Sequence, residues 1–138
     1  MSNMDEFNRV SVIVLGKLFE AFPQPIRVLV EDVNENSDTK PDETLIRNFD
    51  ATVTFLASEG FLKYGSESDE GRFFNETVLT LRGLEILRSV PSVLEEKESM
   101  GQKFVEIMKG GTKEISKEVL KVVVNQLMSV GSGQLGIG

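Results

Sequence analysis

The chain has 138 residues and a formal net charge of −7, with 22 Asp and Glu residues against 15 Lys and Arg residues. It contains no cysteine, histidine or tryptophan, which excludes disulfides, zinc–thiolate sites, His-based acid–base chemistry and the Ser-His-Asp triad. The length predicts one domain with room for one appended element.

The first predicted element is a helix that is apolar on more than one side, which is typical of the central helix of a small domain. Pro23 and Pro25 are expected to end it. Its apolar run from Val10 to Leu15 is too short to span a membrane. The helical track consists of Phe7, Val10, Val14, Leu18 and Phe22.

The residues before this run do not resemble a secretory signal. Asp5 and Glu6 accompany Arg9 there, whereas a signal peptide begins with a positively charged segment. We therefore expect a cytoplasmic protein without a membrane partner.

Residues 25–30, Pro-Ile-Arg-Val-Leu-Val, predict a short strand, with the start of a second helix as the alternative. The following stretch from Glu31 to Glu43 is strongly acidic and shows no helical pattern. A normal second helix is therefore not expected there.

The next segment predicts a helix, a β-hairpin and another helix. Leu45, Phe49, Val53 and Leu56 recur at helical spacing, Ile46 and Phe55 widen the stripe, and Gly60 occupies the position of a left-handed cap. Phe61–Tyr64 and Phe73–Leu79 favour strands around a turn in which Gly65 and Gly71 tolerate positive φ. Thr80 is an N-cap candidate for a helix that Pro91 ends.

This order resembles the second half of a small bacterial winged helix-turn-helix domain over about residues 5–91. The residues that carry the resemblance are Leu56-Ala-Ser-Glu-Gly60-Phe-Leu and Val78-Leu-Thr80-Leu-Arg-Gly83-Leu-Glu-Ile-Leu87. The resemblance implies an α+β fold with a small antiparallel hairpin wing. It leaves function open, because domains of this fold bind DNA, RNA or only proteins.

The charge distribution disfavours nucleic acid as a partner. Residues 1–90 hold 16 Asp and Glu residues against 9 Lys and Arg residues, whereas a duplex-binding surface normally carries a basic patch. If the chain binds DNA as a winged-helix transcriptional regulator, the expected contacts are Arg47, Lys63 and Arg72.

Residues 92–130 predict a helical arm, bent or broken at Gly110-Gly111, and residues 131–138 predict a flexible tail. Three fates of the apolar stripe of the arm stay open: it enlarges the core, forms a dimer or partner interface, or lies on a membrane surface. We favour the interface, which would use Phe104, Met108, Ile115, Val119, Val123 and Leu127.

The sequence therefore predicts a non-enzymatic interaction module without a cofactor, a catalytic residue or a metal site. It would form a homodimer or dock a protein partner through the arm. The alternative is the DNA-binding regulator.

Overall fold

The computed structural model describes residues 3–36, 38–89, 98–110, 121, 124–125 and 127–129. Its central element is helix α1, Asn3–Ala21, whose buried side chains face several directions. Val10, Val12 and Val14 are all fully buried, although Val12 lies on the opposite side of the helix from the other two. The helix ends just before Pro23, so the predicted first helix is confirmed, although Phe22 lies beyond its end.

A short strand and a single 3-10 turn follow α1. Strand β1 is Ile26–Leu29, as the strand alternative predicted, and the 3-10 turn is Val30–Val33. Between this turn and residue 42 the described residues form no further helix. This agrees with the expectation that no normal second helix occurs in the acidic stretch.

Helix α2, Glu43–Ser58, begins at a capped end and buries the predicted stripe. The Asp42 carboxylate accepts a hydrogen bond of 2.8 Å from the Leu45 backbone N–H, which satisfies one free donor of the first turn. Leu45, Phe49, Val53 and Leu56 are all buried. Phe55 is not part of this stripe: it points outward and is 45% exposed.

Three short strands complete a four-stranded antiparallel sheet. They are β2 (Leu62–Lys63), β3 (Ser66–Glu67) and β4 (Phe73–Leu79). Strand β4 lies in the centre, with β1 on one side and β2 and β3 on the other. Leu62 pairs with Leu79 and Ser66 pairs with Asn75 in one continuous register, so β2 and β3 form one interrupted edge.

The glycines around this hairpin have different roles. Gly60 and Gly71 adopt positive φ angles of 82° and 71°, as a cap and a turn require. Gly65 does not, and the turn is shorter than predicted because Ser66–Glu67 form β3. A Cβ atom at Gly65 would instead press against the Glu76 side chain.

Helix α3, Leu81–Arg88, is fixed to the start of the hairpin. The Thr80 hydroxyl accepts a hydrogen bond of 2.9 Å from Gly83 N–H and donates one of 2.6 Å to the Gly60 carbonyl. The predicted N-cap is thus confirmed. A side chain at Gly83 would collide with the Phe61 carbonyl, so glycine is needed for this close approach.

The final described elements pack on α1. Helix α4, Met100–Gly110, crosses α1 so closely that a Cβ atom at Gly16 would lie 2.8 Å from the Phe104 carbonyl oxygen. Reciprocally, Gly101 lies against the Phe19 ring. Gly111 and residues 131–138 fall outside the described residues, so the predicted break and tail are not described.

One hydrophobic core joins α1, the sheet and the arm. Its members from the arm are Met100, Phe104, Ile107, Val124 and Leu127, all buried. The molecule is therefore an α+β protein with a small antiparallel sheet, and its element order is compatible with a winged helix.

Candidate functional site

An apolar depression lies between α1 and α2 and reaches Met128 of the arm. This α1–α2 groove has a volume of about 560 Å³. Its described lining residues are all uncharged: Asn3, Met4, Phe7, Asn48, Ala51, Thr52, Phe55 and Met128.

The groove is built by the outward side of α2 and the first turns of α1. Phe55 lies one residue before the buried Leu56, about 100° further around the helix, and so falls outside the core stripe. The Phe7 and Phe55 rings meet edge to face with centroids 5.7 Å apart. This contact fixes the Phe55 ring at the groove while leaving it 45% exposed, beside a Met4 side chain that is 62% exposed.

A second depression, the hairpin cleft, lies between α2 and the turn that precedes β4. It has a volume of about 290 Å³ and is lined by Glu43, Ile46, Arg47, Asp50, Glu70 and Arg72. Two of the three predicted nucleic-acid contacts, Arg47 and Arg72, therefore meet in one place. The third, Lys63, lies exposed on β2 and does not line this cleft.

The hairpin cleft is not a basic patch. Three carboxylates accompany the two guanidinium groups, and Arg72 Nε already contacts Glu70 Oε2 at 2.5 Å. An exposed pair of this kind neutralises the cation locally, even though it contributes little to stability.

Two carboxyl groups meet where β3 packs near α2. The pKa of Glu67 is raised from its ordinary value of 4.5 by loss of hydration, by the negative charge of Asp50 and by a hydrogen bond between the two carboxyl groups. Loss of hydration and the same two carboxyl groups also raise the pKa of Tyr64 above 10.0. The Asp50 side chain is held there because Gly71 has no Cβ atom to displace it.

The residues predicted for an arm interface have mixed positions. Phe104 and Leu127 are fully buried within this chain, and Met108 is half-buried against the core. Ile115, Val119 and Val123 lie outside the described residues. Of the arm residues that the structure describes, Met128 lines the α1–α2 groove.

Comparison with known proteins adds no family to this description. No family model, curated protein or solved structure matches the chain. Among the described residues, no helix combines the length and hydrophobicity needed to cross a membrane.

Proposed function

We propose that this chain is a non-enzymatic protein-interaction module of the winged-helix type, which docks a protein partner in the α1–α2 groove. The observation that carries the proposal is the exposed apolar side of α2, with Phe55 at its centre. Exposed aromatic side chains set in an apolar depression are typical of the central residues of protein interfaces.

The chemistry of α2 supports a protein partner over DNA. A helix that enters the major groove needs Arg, Lys, Asn or Gln at base edges and basic groups for the phosphates. The part of α2 that lines the groove instead offers Ala51 and Phe55 with the polar Asn48 and Thr52, whereas Arg47 of the same helix lines the hairpin cleft. The groove-lining residues would desolvate against a protein but would not neutralise phosphates.

The arm takes part in this proposal as a wall of the groove. Phe104 and Leu127 hold the arm to the core, and Met128 then projects beside α1 and α2. The proposed interface is therefore composite, and a partner would contact both the N-terminal helix and the arm. The absence of histidine and cysteine from the sequence supports the non-enzymatic part of the proposal.

Site-specific photo-crosslinking tests the proposal in cells. Phe55→p-benzoylphenylalanine keeps an aromatic ring in the groove, and Leu81→p-benzoylphenylalanine places the same group at a residue that is 71% exposed outside it. We expect protein adducts from position 55 that position 81 does not give. Adducts from neither position, or the same adducts from both, would contradict a docking site in the groove.

One observation favours the DNA-binding regulator as a second candidate, because Arg47 and Arg72 line the same cleft. If this surface binds duplex DNA, affinity should fall steeply with salt concentration, and Arg47→Glu should abolish it. Titration of a labelled random duplex at low and high salt measures both effects. Salt-insensitive or absent binding at low salt removes this candidate.

A further inference from the structure

We infer that the occupant of the α1–α2 groove is the apolar face of a cationic amphipathic helix from a partner protein. The inference rests on the proposed function and specifies the partner. It follows from the shape of the groove, from the hydrogen bonding of its walls and from the charge of the chain.

The groove has the character of a helix-binding surface. Residues of α1, α2 and the end of the arm form its walls, and its volume of about 560 Å³ leaves room for several apolar side chains. Met4 and Met128 lie in its lining, and flexible, polarisable methionine side chains adapt to differently shaped apolar partners. Amphipathic helices dock in such grooves by their apolar side.

The backbone of the groove walls favours a helical occupant over an extended one. An extended peptide needs an unpaired strand edge to satisfy its own N–H and C=O groups. The described lining comes from α1, α2 and helical residue 128. Apart from the N–H groups in the first turn of α1, their backbone groups bond within their own helices. A helix forms its own backbone hydrogen bonds and needs only side-chain contacts from the groove.

The negative net charge of the chain favours a cationic helix as the occupant. Residues 1–90 carry 16 carboxylates against 9 basic residues. This acidic excess attracts a cationic partner to the chain and speeds its association.

The same charge argues against a second copy of this chain, which would bring another −7 to the interface. The chain's own residues 130–138 are a second competitor, with Val130, Leu135 and Ile137 as apolar side chains. Four of these nine residues are glycine. Ordering them would cost more conformational entropy than burial of three side chains returns.

Two designed peptides test the inference with the full chain. Each is an amphipathic helix of about fourteen residues with a leucine face and one tryptophan; the polar face is lysine in one peptide and glutamate in the other. Because the chain has no tryptophan, a blue shift of peptide emission reports burial in the protein. We expect saturable binding that is at least tenfold tighter for the lysine peptide.

Matched substitutions locate the binding. Phe55→Asp and Ala51→Asp introduce a charge into the exposed groove lining, and Leu81→Asp introduces the same charge at an exposed apolar residue outside it. The first two should weaken lysine-peptide binding at least tenfold, and the third should leave it unchanged. Circular dichroism of both groove variants checks that the chain remains folded.

The following outcomes would overturn the cationic-helix inference, and they can be told apart from failure of the proposed function. Equal affinity for both peptides, or equal effects of all three substitutions, overturns the cationic-helix inference even if position 55 gives protein crosslinks in cells. A dimer that Phe55→Asp dissociates in sedimentation identifies a second copy as the occupant. Lysine-peptide binding that begins only after removal of residues 130–138 identifies that segment instead.

Discussion

Arg9 shows how single contacts between distant residues fix the start of this fold. The residue is 4% exposed, and its Nη1 donates a hydrogen bond of 2.6 Å to the Val33 carbonyl. Its Nε lies 2.6 Å from Glu6 and 3.2 Å from Glu35. A buried guanidinium is tolerated only when it is paired in this way, and here the pairing ties α1 to the 3-10 turn and the acidic loop.

The facing carboxyl groups of Asp50 and Glu67 give the molecule a pH-dependent contact between α2 and β3. Because the pKa of Glu67 is raised above 4.5 in the folded chain, its contribution to stability is complete below about pH 4.5 and is lost as the pH rises through the raised value. Tyr64, whose pKa is raised above 10.0, does not titrate in this window.

We predict that Asp50→Asn flattens this pH dependence. The amide removes the negative charge that repels ionised Glu67, so the variant should lose less free energy of unfolding than the original chain between pH 4.5 and pH 7. The difference should stay below about 1 kcal/mol, because exposed charges are screened by water. Denaturant unfolding at several pH values measures it.

Asp69→Asn is the matched control, because it removes the same charge from an exposed turn residue of the same hairpin. It should leave the shape of the pH profile unchanged. Parallel profiles for Asp50→Asn and the original chain would show that the Asp50–Glu67 contact does not influence stability.

Local residue chemistry was predictable where neighbouring residues decide it. The Thr80 cap and the Gly60 cap follow from their places at helix ends. The buried pairing of Arg9 depends on Val33 and Glu35, more than twenty residues away, and no local pattern contains that information. Gly65 is a second example, because the residue that a side chain there would meet is Glu76, across the hairpin.

At the scale of elements, hydrophobic periodicity predicts which side of a helix is buried. It does not predict which other elements the opposite side of the helix lies beside. The α2 stripe was correct except for Phe55, which an apolar count places in the core. Its position about 100° from Leu56 was a usable signal. The groove itself needed the packing of α1 and the arm beside α2, which the sequence does not reveal.

The close crossing of α1 and α4 makes Phe104 the main anchor of the arm. Its side chain is fully buried, and Gly16 allows its backbone to approach α1. We predict that Phe104→Ala lowers the free energy of unfolding by about 3–5 kcal/mol, the usual cost of emptying a buried aromatic site. Denaturant unfolding at several protein concentrations measures the loss.

The concentration series separates a core residue from an interface residue. A core contact within one chain gives the same loss at every concentration, whereas a dimer contact gives a loss that depends on concentration. Glu106→Ala, at an exposed residue of the same helix whose ion pair with Lys103 is long at 3.8 Å, is the control and should change stability by less than about 0.5 kcal/mol. A concentration-dependent loss for Phe104→Ala would restore the arm as an interface.

For the whole molecule, the sequence predicted the α+β class and the acidic charge but left the fate of the arm open. Both a core helix and an interface helix carry the same apolar stripe, because either surface excludes water. The decisive features are Gly16 and Gly101, which sit at the crossing of α1 and α4. Single glycines inside helices have too many explanations for the sequence alone to choose one.

The stability of the whole chain should therefore depend on the arm. The described part of the arm contributes five large side chains to the core: Met100, Phe104, Ile107, Val124 and Leu127. At about 1.5–3 kcal/mol for each buried side chain, their removal costs on the order of 10 kcal/mol. A typical domain has only about 5–15 kcal/mol of net stability in total.

We predict that a chain ending at Ser89 does not fold cooperatively, while the full chain unfolds in one transition. Removal of the arm exposes the side of α1 that packs on Phe104 and Ile107, so the shorter chain should bind a hydrophobic dye and self-associate in sedimentation. A chain that lacks only residues 131–138 is the control and should melt as the full chain does. If the Ser89 chain instead gives a sharp thermal transition as a monomer, the remaining α+β elements close their own core. The stripe on the arm would then be free for a partner, and the interface prediction for Phe104 and Leu127 would regain its support.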